Sequence, residues 1–132
     1  MELRTFERAH LDGVIRICGV EGWDSYTGDA ERTFRALSSS GVVTVVAVEN
    51  DEVLGFAQVL TDGAIRAYLA NMVVAKDRRG SGIGRKLIEA AFDRVTAVYV
   101  DLLAADDATG FYERFRYQKL PGYRLYPATP KK

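Results

Sequence analysis

Residues 78–84, RRGSGIG, set two arginines against three alternating glycines, and the helical run RKLIEAAFDRV follows at once. A helix start leaves main-chain N–H groups without intrahelical acceptors, and the helix dipole makes that end partly positive. Glycine removes the side chains that would hold an anion away from those amides. Successive amides in such a loop converge into a concavity for an anion. Lys76, Arg78, Arg79, Arg85 and Lys86 stand here against Asp77 alone, in a chain whose 18 basic residues overall balance 18 acidic ones. The chemistry open to this stretch is the holding of a phosphate.

Two common phosphate loops do not fit. A Walker loop needs four residues between its first glycine and a Gly-Lys-Ser/Thr. Here three residues separate Gly80 from Gly84, and Leu87 stands where the magnesium-binding hydroxyl belongs. A dinucleotide fingerprint would place its last glycine at Arg85 or Leu87 and would follow the first strand of a βαβ unit. What remains is R-x-x-G-x-G, formed by Arg79, Gly82 and Gly84.

The flanking elements set where that loop lies. ELRTF (2–6) alternates like a short strand, and Leu11, Val14, Ile15 and Cys18 recur at helical spacing from Arg8 to about Val20. EGWDSYTGD (21–29) reads as a loop with two exposed aromatics, and Asp29 suits the cap of a helix through about Leu37. GVVTVVAVE, EVLGFAQVL and AIRAYLANMVVA, separated by ND and TDG, read as a three-stranded antiparallel meander that ends at the glycine stretch. The next helix, about Gly84 to Val95, buries Ile83, Leu87, Ile88, Ala91, Phe92 and Val95. AVYVDLLA is a further strand, which a right-handed crossover makes parallel to the last one. Ala108, Phe111, Tyr112 and Phe115 then mark a helix, and YQKLPGYRLYPA reads as two short strands joined at Pro121-Gly122. The expected class is α+β: one mixed, mostly antiparallel sheet flanked by helices, in a single domain spanning 1–132.

NMVVAKDRRGSGIGRKLIEAAF (71–92) and DDATGFYERFRY (106–117) together resemble the GNAT superfamily of acetyl-CoA-dependent N-acetyltransferases. The resemblance implies that the loop from Arg79 through Gly80, Ser81, Gly82, Ile83, Gly84 and Arg85 holds the coenzyme A pyrophosphate. It also implies that Met72, Val73 and Val74 offer main-chain groups to the pantetheine arm, which pairs like an added strand where the fifth strand splays from the fourth. A main-chain N–H of Val73 or Val74 would polarise the thioester carbonyl. Tyr112 matches the family's "FYE" tyrosine, the proton donor to the departing thiolate; phenol and thiol pKa values lie near 10 and about 8.5. Asp106 stands where relatives carry an asparagine on pantetheine, although an N-cap explains it equally. Arg116 departs from the family's glycine.

Relatives place a carboxylate base on the fourth strand, where this chain has Asn71, an amide that can orient a water or the substrate but cannot take the proton. Asp62 is an alternative base, and turn chemistry the simpler reading of it. Trp23, Tyr26, Tyr68 and Tyr123 would line the acceptor pocket. The implied reaction is acetyl transfer to a primary amine, on a small molecule or on a protein or peptide, by direct attack in a ternary complex. A non-catalytic acyl-CoA sensor of the same fold is the alternative. No metal is implied, and a homodimer stays open.

Composition agrees. With 48% hydrophobic and 27% charged residues, 132 residues can bury a core without staples. The neutral charge balance and lack of a broad basic face argue against nucleic acid and membrane partners. No apolar run nears the roughly 20 residues that span a bilayer, and the polar N-terminus does not read as a signal peptide, so the cytoplasm is expected. Cys18, the single cysteine, reads as a small buried hydrophobe, and His10, the single histidine, as solvated surface.

Overall fold

The computed structural model describes residues 1–127. The chain divides into two compact units, Met1–Asp101 and Leu102–Lys132. The first unit carries the meander. β2 (Val42–Glu49) and β3 (Glu52–Thr61) are β-branched runs joined at Asn50 and Asp51, whose φ values of 53° and 65° suit a tight mirror-image turn. β3 hands over to β4 (Arg66–Val74) across Asp62, whose carboxylate accepts the N–H groups of Ala64 and Ile65, each at 2.8 Å, and of Arg66. Those bonds hold the Asp62 carboxyl below its ordinary range and occupy it in turn chemistry.

β1 (Glu2–Thr5) pairs antiparallel with β2, and β5 (Tyr99–Leu102) lies beside β4, so the sheet runs β1-β2-β3-β4-β5. The Ile65 carbonyl accepts from Val98 N–H at 2.8 Å and Tyr99 N–H at 3.2 Å, so β4 and β5 begin at the same end and the sheet is mixed. β5 has 4 residues and β4 has 9, which leaves the far half of β4 beyond the reach of its neighbour.

One face carries α1 (Leu11–Glu21), α2 (Asp24–Thr27) and α3 (Ala30–Ser38), the last capped by Asp29, whose side chain accepts Arg32 N–H at 3.1 Å. Their core joins Leu11, Val14, Ile17, Cys18 and Leu37 to Val46, Phe56 and Val73 of the sheet. The alternate residues of β3 face α4 (Ile83–Asp93), where a Cβ on Gly55 would touch Leu87. α4 buries Ile83, Leu87, Ile88 and Ala91.

Several local expectations change. Ile17 is buried where Ile15 is only half-buried, and Phe92 is exposed at the rim of α4. His10 is buried, not solvated: a 3-10 turn (Arg8–His10) precedes α1, and His10 Nδ1 accepts Glu7 N–H at 3.0 Å to close it. Trp23 and Tyr26 are half-buried against the core, because the expected loop folds into α2. Cys18 is fully buried as expected, and burial pushes its thiol up to about 11.

In the second unit a 3-10 turn (Asp106–Ala108) leads into α5 (Thr109–Tyr112), shorter than the expected helix. Phe111 packs edge-on against Tyr112 and Phe115, at ring separations of 5.0 and 5.6 Å. Residues 117–127 form no strand; alternation and a Pro-Gly turn invite pairing, but a strand exists only where a ladder partner accepts it. Ala128, the end of that expected hairpin, lies outside the described residues, as does the tail of the expected 1–132 domain.

Phe56 is fully buried at the centre of the sheet. Phe56→Ala is expected to destabilise the protein by about 3–5 kcal/mol, read as a lower urea midpoint with an unchanged m-value.

Candidate functional site

β4 ends at Val74, a 3-10 turn follows (Lys76–Arg78), and α4 begins at Ile83. Gly80 and Gly82 bridge the gap with φ values of 83° and 85°, and Gly82 is the N-cap of α4. A Cβ at either position meets nothing within 4 Å, so left-handed backbone, not crowding, demands glycine there. Ser81 Oγ donates to the Arg78 carbonyl at 2.6 Å and braces the turn. The main-chain N–H groups of Ser81, Gly82, Ile83 and Gly84 find no acceptor among the described residues. These are the orphan donors of a helix start, gathered where side chains are small.

The end of β4 offers a second set of main-chain groups. Ala75 N–H donates to the Leu54 carbonyl at 2.7 Å, so by alternation Val73 turns its N–H and C=O toward β3. Met72 and Val74 therefore turn theirs toward the edge that β5 does not cover. The Val74 carbonyl already accepts Arg79 Nε at 2.9 Å.

Ion pairs temper the charge of the loop, two of them long-range and one local to α4. The Arg79 guanidinium reaches Glu21 at 2.7 Å, Arg78 reaches Glu49 at 2.9 Å, and Arg85 reaches Glu89 at 3.2 Å. Three of the five cations counted along the sequence thus meet carboxylates from outside the loop. The Arg78 hydrogen bond holds the Glu49 carboxyl below its ordinary range. Such half-exposed pairs are worth about 1 kcal/mol or less, so an incoming anion can displace them.

Farther back on β4, Asn71 stands directly across from Gln58. The register then shifts, and Val59 faces Leu69, leaving Ala70 as a bulge. Asn71 Nδ2 donates to Gln58 Oε1 at 2.8 Å and to the Tyr26 hydroxyl, and Tyr26 donates to Gln58 Oε1 at 3.0 Å. Burial raises the Tyr26 phenol above its ordinary pKa. The Trp23 ring lies 6.2 Å from that of Tyr26, and Tyr68 is half-buried. The structure thus joins Tyr26, Trp23 and Asn71. Sequence reasoning missed Gln58, although a glutamine inside the apolar run EVLGFAQVL was a usable signal, and it missed Glu21, which carried none.

In the second unit Tyr112 is half-buried, and burial raises its phenol above the ordinary range. Asp106 is the first residue of its 3-10 turn, behind Ala105 as N-cap, so the cap reading fails; its carbonyl accepts the Thr109 hydroxyl at 3.3 Å. Tyr123 is 81% exposed. Among the described residues no group of three or more His, Cys, Asp or Glu is placed to hold a metal, and no helix is long and apolar enough to cross a membrane.

A family model for the acetyltransferase (GNAT) domain matches residues 40–119, and the chain belongs to that family. No curated protein matches the chain. A transcriptional regulator from Bacillus halodurans C-125 superposes with a TM-score of 0.80 at 20% identity, over 95% of this chain and 98% of that one. A GNAT-family acetyltransferase from Streptococcus pneumoniae TIGR4 gives 0.76 at 19% identity, over 97% and 98% of the two chains. At such identities the likeness speaks for the fold. An aminoglycoside 6'-N-acetyltransferase complexed with coenzyme A gives 0.62 at 25% identity, over 71% of this chain and 54% of that one.

Gly82→Ala forces a side chain into the left-handed region at a cost of about 1–2 kcal/mol and sets a methyl group beside the orphan amides. A modest loss of melting temperature with at least a tenfold weaker affinity for coenzyme A is expected, by thermal melts and calorimetry on one preparation.

Proposed function

We propose that the chain transfers an acetyl group from acetyl-CoA to a primary amine by direct attack in a ternary complex, working in the cytoplasm as one transferase domain. The observation that carries the reading is the row of orphan amides at Ser81–Gly84, set one turn beyond an uncovered strand edge at Met72 and Val74. Small residues and orphan N–H groups fit a diphosphate, and an open strand edge fits the amide-bearing pantetheine arm. Arg79 and Arg85 add charge to the diphosphate when their carboxylate partners give way.

In this reading acetyl-CoA supplies the activated thioester. The Val74 N–H, turned to the free edge, polarises the thioester carbonyl; Val73, turned to β3, is the poorer donor. The neutral amine forms the C–N bond as the C–S bond breaks. Tyr112 gives its phenolic proton to the departing sulfur, and the surplus amine proton leaves to water. Burial suits Tyr112 to the role, because it disfavours the phenolate and keeps the donor protonated. Asp106 is assigned to pantetheine. Trp23, Tyr26, Tyr68 and Tyr123 are assigned to the acceptor, a small-molecule or a protein or peptide amine.

Calorimetry with acetyl-CoA and thiol release over an amine panel test the reading. Saturable binding with amine-dependent thiol release is expected. Binding without release on any amine points instead to an acyl-CoA sensor, which the amide at Asn71 in place of a base would favour. Tyr112→Phe is expected to lower kcat about tenfold or more with coenzyme affinity nearly unchanged; an undiminished rate removes the phenol from the mechanism. Turnover is expected to rise with pH as the acceptor ammonium loses its proton. It falls only above the ordinary phenol range, because the Tyr112 pKa is raised.

A further inference from the structure

Gln58 is buried within β3, and its Nε2 donates to the Ala36 carbonyl at 3.1 Å. A carbonyl only accepts, so this contact decides which way the amide points. Gln58 Oε1 must then face Tyr26 and Asn71, and both donate to it. Tyr26 has spent its single proton there, so toward Asn71 its oxygen can only accept, and it accepts from Asn71 Nδ2. Both Asn71 N–H groups are thereby consumed. Asn71 Oδ1 is left with no donor among the described residues. It is not sealed in either, since no buried side-chain oxygen among them lacks a partner.

We infer that Asn71 Oδ1 receives one N–H of the incoming amine, and that Tyr26, acting through Asn71, is a positioning residue that holds this oxygen outward. The inference rests on the acetyl-transfer reading above. It gives Asn71 a task that proton abstraction does not require. The titratable groups that face Tyr26 are the Cys18 thiol of α1 and the Tyr68 phenol of β4, and Gln58 carries no charge. An uncharged oxygen holds the nitrogen without favouring its ammonium form, which cannot attack. A carboxylate at this position would favour it. The acceptor class that fits is a primary amine on an apolar body, with Trp23 and Tyr68 beside it.

The probe is 2-phenylethylamine, titrated into the full chain saturated with coenzyme A and followed by the side-chain amide signals of Asn71 and by calorimetry at pH 7 and pH 10. In the wild type the Asn71 amide signals should move saturably with the amine. Tyr26→Phe should weaken amine binding at least threefold and leave coenzyme A affinity unchanged. Asn71→Asp should raise the ratio of affinity at pH 7 to that at pH 10 at least tenfold over wild type, a shift that loss of packing would not produce. If Asn71→Asp unfolds the chain, the Tyr26→Phe split and the wild-type amide signals still decide. Unmoved Asn71 signals, equal amine affinity in Tyr26→Phe, or no amine uptake by the loaded wild type overturns the inference. Failure to take up coenzyme A at all is a different result and overturns the acetyl-transfer reading beneath it.

Discussion

Main-chain N–H groups must find acceptors, and at the passage from β4 into α4 this chain withholds them. β5 stops short of the far half of β4, and the glycines hold a left-handed path that keeps side chains clear of the helix start. The rest of the molecule makes that arrangement stable. Buried residues of α4 anchor the helix on the sheet, so its first turn cannot swing round to satisfy itself. The carboxylates of Glu21 and Glu49 hold Arg79 and Arg78 beside the loop without neutralising the amides themselves. In the proposed function, this unfilled hydrogen-bonding requirement, kept in place by packing, is what the loop offers to an anion.

The opposite face of the sheet shows the other treatment of polar groups. Gln58 lies in a strand that is otherwise apolar, and leaving its amide unpaired would cost about 1–3 kcal/mol. Ala36, Tyr26 and Asn71 satisfy it instead, and the bulge at Ala70 sets the register that brings Asn71 opposite. A single extra residue in β4 therefore links backbone geometry to the one side-chain oxygen in the cluster that is still open.

The parts of the fold built on local signals were legible. β-branched runs broken by Asn-Asp and Thr-Asp-Gly revealed the meander, and the period of Leu87, Ile88 and Ala91 revealed α4. The glycine loop was legible because its conformation needs residues that nothing else would place there. Elements held by distant partners were not. His10 reads as surface until Glu7 and Phe6 enclose it, and α2 is too short to show a period. The 117–127 stretch carries strand-like alternation without the ladder that would make it a strand. Of the candidate site, Asn71 was visible only as a missing carboxylate. Its partners, Tyr26 and Gln58, come from α2 and β3, and no spacing rule connects them.

Assigned main-chain amide spectra during a coenzyme A titration test the central claim most directly. The account predicts saturable downfield shifts of the Ser81, Gly82, Ile83 and Gly84 amide protons, with a common affinity. Coenzyme A binding that leaves those four signals in place, or no binding at all, would contradict it.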